Sequence, residues 1–288
     1  MSNVKVLTGR IGSLSYKFAK ENDIALMPTN IIKGDEIIRD DTDKKASEFF
    51  KELPTLSDIP STSAPPQGEV LKFLKENVKK GESALYLSAS TKLSAIYDSV
   101  SNAAAKLKKE GYDIKVFDTL TTLSMQGMFA YQARLLSNGG DNREEIVKKL
   151  TKMRDEVRIR EYGTIETLKY LEKNGRIGKA KAWIANLFSF KPIISAKDGE
   201  LDPVGRARSN DQALEITVKK IHEDQERVGS SEMDMMYDYG LSDKYLKEAV
   251  IPRMEKEFHP KVISRNQISI VISCHLGPEV WGVCPYHK

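Results

Sequence analysis

Four short polar stretches stand where this chain could handle an anion. Thr8-Gly9-Arg10-Ile11-Gly12 follows an apolar run, and Ser61-Thr62-Ser63 precedes a helical pattern. Ser88 to Ser94, and Asp118-Thr119 with Thr121 and Thr122, each separate an apolar run from a helical one. Hydroxyls and unpaired backbone N–H groups at helix N-termini favour an anion, because the free donors and the helix dipole both point at it. Any one such turn is better explained as a simple N-cap. Two or more meeting at one sheet edge would make a carboxylate or phosphate pocket. Other chemistries fit less well. Cys274, His275, Cys284 and His287 supply one short Cys-x-x-His pair, where structural zinc sites use two well-spaced pairs. Cys274 and His275, neighbours on an expected strand, would face opposite ways. There is no Gly-x-Ser-x-Gly elbow and no Gly-Lys-Ser/Thr phosphate loop. Gly9 and Gly12 are only a fragment of a dinucleotide fingerprint.

The elements that must position these turns alternate. Val4–Leu7, Ile24–Met27, Ala84–Leu87 and Ile114–Phe117 read as strands. Helical patterns cover Leu14–Lys20, Lys44–Lys51, Gly68–Val78, Ile96–Lys109 and Arg143–Val157, with a long amphipathic helix at Leu123–Leu136. Gly34-Asp35 between two Ile-Ile pairs predicts a hairpin, and four prolines between Leu53 and Pro66 predict a surface loop. Strand–turn–helix repetition predicts an α/β fold, with a doubly wound parallel sheet over residues 1–157. Ligands of such sheets sit beyond the carboxyl ends of the strands, where the polar turns fall. Residues 158–288 read as an α+β domain. It has a hairpin at Asp198-Gly199, helices at Asn210–Glu226 and Ser242–Phe258, and a β-branched strand at Ile268–Ser273.

The chain has 288 residues, 40% hydrophobic and 30% charged, a globular composition. A net charge of +4 is too small and too dispersed to demand a nucleic acid. Two cysteines and the lack of an apolar leader or spanning segment lead us to expect a cytoplasmic protein.

Longer words narrow the reading. Glu166-Thr167-Leu168-Lys169-Tyr170-Leu171 continues through Lys173-Asn174-Gly175-Arg176-Ile177-Gly178-Lys179-Ala180 to Lys191-Pro192-Ile193-Ile194, and closes with Asp198-Gly199 and Val204-Gly205-Arg206-Ala207-Arg208. Supporting words are Thr62-Ser63-Ala64-Pro65, Ser90-Thr91-Lys92-Leu93-Ser94 with Tyr97, Val116-Phe117-Asp118, and His275 with Gly277-Pro278. In this order they resemble the DegV family of fatty-acid-binding proteins over nearly the whole chain. The resemblance implies a long-chain fatty acid buried between the two domains, its carboxylate held by Thr62, Ser63 and Ser94 with His275 close by. It implies no cofactor and no catalysis by the chain itself. It extends to the lipid-presenting subunit of bacterial fatty acid kinase, in which a separate ATP-binding subunit phosphorylates the carboxylate. Arg176 and Arg208 match basic positions that would face that partner.

The family's Thr-Asp-Ser reads Thr8-Gly9-Arg10 here, so Arg10 either pairs with the ligand carboxylate or points to solvent. Leu-Ser-Gly-Thr-Tyr reads Leu93-Ser94-Ala95-Ile96-Tyr97, and Gly-Pro-Gly reads Gly277-Pro278-Glu279. Two alternatives stay open: an enzyme acting on a small phosphorylated or carboxylated metabolite in a narrow polar cavity, and an interaction module whose cavity is plugged near Arg10 and Ile96. Phe129, Trp183, Leu187, Phe188 and Phe190 are candidates for lining an acyl tunnel, although aromatics and Leu at helical spacing are more often ordinary core.

Overall fold

A computed structural model of the chain describes residues 4–186 and 190–288. The first half builds a four-stranded parallel sheet from β1 (Lys5–Gly9), β2 (Ile24–Met27), β6 (Ser83–Ser88) and β7 (Asp113–Asp118), in the order β2-β1-β6-β7. Alternate residues serve opposite faces, as the pleat requires. Leu7, Ala84 and Tyr86 join a core with α2 (Asp43–Glu52), α3 (Gln67–Asn77) and α4 (Ile96–Lys108). Val6, Leu85 and Leu87 join another with α1 (Tyr16–Glu21), α5 (Leu123–Asn138) and α6 (Arg143–Asp155). The sheet is thus covered on both faces, as expected.

A small antiparallel sheet stands beside it. It holds β3 (Thr29–Lys33), β4 (Glu36–Asp40) and β5 (Ser61–Ser63), in the order β4-β3-β5. The Gly34-Asp35 hairpin is as read. The proline-rich loop departs from expectation, because Ser61–Ser63 pairs with β3, Thr62 lying opposite Ile31.

The second half forms a six-stranded mixed sheet in the order β10-β9-β8-β13-β11-β12. Its strands are β8 (Tyr162–Ile165), β9 (Lys191–Lys197), β10 (Glu200–Ala207), β11 (Met233–Tyr239), β12 (Lys261–Gln267) and β13 (Val280–His287). α8 (Asn210–Val228) and α9 (Ile251–Phe258) cover one face, packing on Met235, Tyr237, Trp281 and Val283. The helix expected from Ser242 to Phe258 begins at Lys244 and is wound as a wide π turn over Leu246–Val250 before α9. The opposite face, with Met236 and Cys284, meets α5.

α5 is therefore held between the two large sheets. Expected as amphipathic, it is buried continuously from Ser124 to Ala130. Gly127 permits this approach, since a Cβ there would lie 2.5 Å from the Gly12 carbonyl oxygen. A second correction concerns Ile268–Ser273, which is no strand. The helix α10 (Ile270–Leu276) starts at Ser269, whose hydroxyl accepts from the Ile272 N–H at 3.1 Å. α10 packs on α7 (Lys169–Lys173), α2, β3 and β5, so the end of the chain closes against its beginning. Among the described residues, no helix is long and apolar enough to cross a membrane.

Candidate functional site

The carboxyl ends of β1 and β6, the inner face of the six-stranded sheet, and α10 enclose about 1150 Å³ of space free of protein atoms, part of it open to solvent. Ile11 and Ala89 line it from the parallel sheet, Ile194 and Val280 from the mixed sheet, and Val271 and Ile272 from α10. The lining is mostly apolar. The β9–β10 hairpin closes one side. Gly199 makes its turn at φ +82°, and its carbonyl accepts from the Ser90 hydroxyl at 2.7 Å.

Polar groups gather at the mouth. β5 supplies Thr62 and Ser63, the turn before α4 supplies Ser94, α10 supplies His275, and the loop after α7 supplies Arg176; all five line the cavity. Ser63 and Arg176 are exposed, while Thr62, Ser94 and His275 are half-buried. The Ser94 oxygen accepts from the Ile96 N–H at 3.3 Å, which leaves its own hydroxyl proton free to donate. Thr62 Oγ1 lies 3.2 Å from His275 Nε2. Burial, and then the Arg176 charge, push the His275 pKa down to about 4. The ring is therefore neutral at pH 7 and supplies no counter-charge. Nδ1 is buried without a hydrogen-bond partner. An unmade N–H costs more than an unused lone pair, so the proton belongs on Nε2. Nε2–H then donates to Thr62, and the Thr62 hydroxyl is free to donate into the cavity. The cation at the mouth is Arg176, fixed by bonds to the carbonyls of Leu93 (3.2 Å) and Asn174 (2.9 Å).

Arg10 requires a correction. It is absent from the cavity lining, and neither a cavity-facing nor a solvent-facing position describes it, for it is 1% exposed. Its guanidinium donates to the Leu14 carbonyl at 2.9 Å, lies 3.6 Å from Asp40 and stacks near Tyr16. A buried cation must be neutralised locally, and Asp40 does this. The other Asp40 oxygen accepts from the Ile270 N–H at 3.0 Å, tying the start of α10 to β4. Thr122 of the Asp118 turn lines the cavity, while Thr8 and Thr119 are spent internally. Thr8 Oγ1 donates to the Leu87 carbonyl and accepts from Gln126, and Thr119 binds Ser88 and Thr121. Arg208 is exposed on the strand end before α8, where its N–H donates to the Gln212 side chain. Phe129 belongs to the core between the parallel sheet and α5. Trp183 and Phe190 pair edge-to-face with Arg206 against both rings. Leu187 and Phe188 lie outside the described residues.

Sequence reasoning passed over two cavity residues, Glu161 and Asp238, which are 3% and 1% exposed. Each acts on the charge of the other. Asp238 accepts from the Ser124 hydroxyl at 2.7 Å and from the Ser124 N–H at 3.3 Å, and Glu161 accepts from the Met125 N–H at 3.4 Å. Burial raises Asp238 to about 6, and burial beside Asp238 raises Glu161 well above the usual carboxyl range. The pair thus retains a shared proton at the N-terminus of α5. The signal was an acid inside the apolar run Met233–Tyr239. Among the described residues, no group of three or more His, Cys, Asp or Glu is placed to hold a metal.

Comparison with known proteins bears on this arrangement. Protein DegV of Bacillus subtilis (strain 168) is 25% identical over 284 residues, covering 98% of each chain. A DegV family protein from Thermus thermophilus, described as fatty acid binding, superposes with a TM-score of 0.88 at 23% identity, over 99% of this chain and 100% of that one. A stearic acid-binding protein from Eubacterium ventriosum does so with 0.88 at 22% identity, over 99% and 98%. These structures share the fold. The model of a family described as "Uncharacterised protein, DegV family" matches residues 3–288, and the chain belongs to the DegV family.

Proposed function

We propose that this chain binds one long-chain fatty acid in the cavity between its two units, residues 1–157 and 158–288. Thr62, Ser63 and Ser94 hold the carboxylate, neutral His275 orients Thr62, and Arg176 supplies the positive charge. The observation that carries this is a mostly apolar cavity whose mouth gathers free hydroxyl donors and one cation. Related DegV proteins described as fatty acid binding support it. Each buried methylene contributes about 0.8 kcal/mol, so a long acyl tail could gain on the order of 10 kcal/mol. The head group then sets orientation more than affinity. A narrow polar cavity would have favoured a small-metabolite enzyme, and the apolar lining favours lipid. The carboxylate at an open mouth fits presentation in the cytoplasm to a separate ATP-binding kinase subunit, with Arg176 and Arg208 toward that partner.

Native mass spectrometry of the purified protein, followed by denaturation and identification of released small molecules, tests the reading. One fatty acid per chain is expected. A protein that carries none and takes up none when offered stearic acid would overturn it. Thr62→Ala combined with Ser94→Ala should weaken binding by roughly a hundred-fold or more, since hydrogen bonds to a charged group contribute about 1.5–3 kcal/mol each. Unchanged affinity in that double variant would remove the head-group assignment.

A further inference from the structure

The six-stranded sheet is used on both faces. Gly163 and Val280 line the cavity described above. Their neighbours Thr164 and Trp281 are directly opposed in the β8–β13 ladder and turn to the other side, because successive residues of a strand face opposite ways. There they line a separate cleft of about 760 Å³, part of it open to solvent, between the start of α8 and the π turn at Leu246–Val250. Thr164 is 2% exposed, and its hydroxyl has no hydrogen-bond partner. An orphaned buried hydroxyl costs free energy. The Trp281 indole N–H, by contrast, donates to Asn210 Oδ1 at 3.3 Å, and the Tyr245 ring stands 5.7 Å from the indole.

The rim is charged. Three carboxylates, Glu166, Glu248 and Glu279, line the cleft against one ammonium, Lys244. Glu166 is paired with Lys191. Among the described residues, Glu248 and Glu279 have no ion-pair partner. Lys244 and Glu248 are four positions apart, the spacing at which opposite charges meet on an α-helix. The π turn undoes that spacing, and such wide turns are frequent at functional sites. Unpaired carboxylates repel an anion, and a hydrocarbon group leaves the Thr164 hydroxyl orphaned. A cation that carries N–H donors satisfies every group. The carboxylates neutralise it, the Thr164 oxygen accepts from it, and aromatic rings attract it over their faces.

We propose that this cleft is a second binding site, which takes an alkylammonium or guanidinium group. Glu248 and Glu279 are its counter-charges, Thr164 its hydrogen-bond acceptor on the floor, and Tyr245 and Trp281 its aromatic wall. The site lies behind the lipid cavity and does not depend on the lipid reading. The test follows the Trp281 indole N–H resonance in isotope-labelled full-length protein. The chain has two tryptophans, so Trp183→Phe assigns the signal. The probes are butylammonium, butylguanidinium and a blocked tripeptide with a central arginine, with pentanamide as the neutral counterpart. A cationic probe is expected to shift the resonance saturably, and pentanamide to bind about ten-fold more weakly or less. Glu248→Gln, Glu279→Gln and Thr164→Val nearly keep the side-chain shapes, and each should weaken cation binding about three-fold or more. An otherwise unchanged amide spectrum shows that these variants fold. Binding of the peptide alone assigns the cleft to a basic side chain of a partner protein. Binding of the small cations assigns it to a free amine or guanidine, and either outcome upholds the site. No saturable shift with any probe overturns it. So does equal binding of pentanamide, or full cation affinity in the triple variant of Thr164→Val with Glu248→Gln and Glu279→Gln.

Discussion

His275 shows how burial decides the role of a residue. A charged imidazole beside Arg176 would suffer both desolvation and repulsion, so the ring stays neutral and works as a hydrogen-bond relay to Thr62. This has a pH signature. Because the folded pKa is near 4 and the ordinary value is about 6.5, the unfolded chain binds a proton in that window that the folded chain does not. The contribution to stability is present above the ordinary value and is lost as pH falls toward 4. Glu161 and Asp238 act in the opposite sense, since their raised pKa values favour the folded chain at low pH, an effect that Asp238 loses as pH rises through about 6. A difference measurement separates the two. Urea unfolding at pH 7 and pH 5 should show a smaller loss in His275→Gln than in the unmodified protein. Equal losses would mean that the ring titrates normally. At this scale the sequence was legible where a short word makes its own local contact, as at Ser94, whose oxygen accepts from the Ile96 N–H. Arg10 was illegible because its partner Asp40 is thirty positions away, and nothing in the intervening residues announces that strand β4 returns it to β1.

Among the elements, α5 and α10 do the positioning; α5 was read within two residues of its bounds but as amphipathic, although Ser124–Ala130 is buried throughout, and α10 was read as a strand. Periodicity marks a helix by contrast between a wet face and a dry one. α5 lies between two sheets and α10 is buried at Ile270–Cys274 and Leu276, so the contrast is lost. β-branched residues then make Ile268–Ser273 resemble a strand, and only Ser269 as a cap hints otherwise. Elements with one solvent face, such as α3 and α4, fell within one or two residues of their expected bounds. The close approach of α5 can be tested directly. Gly127→Ala places a methyl group against the Gly12 carbonyl and the Leu14 side chain, and overpacking of this kind costs about 1–3 kcal/mol. Gly68→Ala, in the first turn of α3 with open space around it, should be neutral or stabilising by up to about 1 kcal/mol. Denaturant midpoints for the two variants should move in opposite directions or diverge clearly. If Gly127→Ala is as stable as the parent, α5 can shift, and the cavity wall it carries is not fixed by that contact.

Over the whole molecule, the cavity joins segments that are far apart in sequence. Ile11 and Ala89 come from one sheet, Ile194 and Val280 from the other, and Val271 and Ile272 from a helix near the end of the chain that packs on the first-half elements. The parallel sheet was readable because β1, β6 and β7 are each followed by a helix, whereas β2 runs into the β3–β4 hairpin. The mixed sheet was not. β13, the last strand, is inserted between β8 and β11, an order imposed by burial of both faces and by long-range pairing that no local pattern encodes. This construction has a thermodynamic consequence. A ligand that touches all of these segments binds the folded chain and has no comparable site on the unfolded one. At a free concentration about 100 times its dissociation constant it adds roughly 2.7 kcal/mol of stability. For a chain of this size that corresponds to a rise in Tm on the order of 5 °C. Delipidated protein should therefore melt below protein loaded with stearic acid, and the difference should grow with the logarithm of ligand concentration. A smaller dependence is expected for Thr62→Ala with Ser94→Ala, because its weaker affinity lowers the ratio of ligand to dissociation constant while the tail still binds. If loading leaves the Tm of the unmodified protein unchanged, the acyl chain does not occupy a site assembled by folding, and the cavity must serve some other ligand.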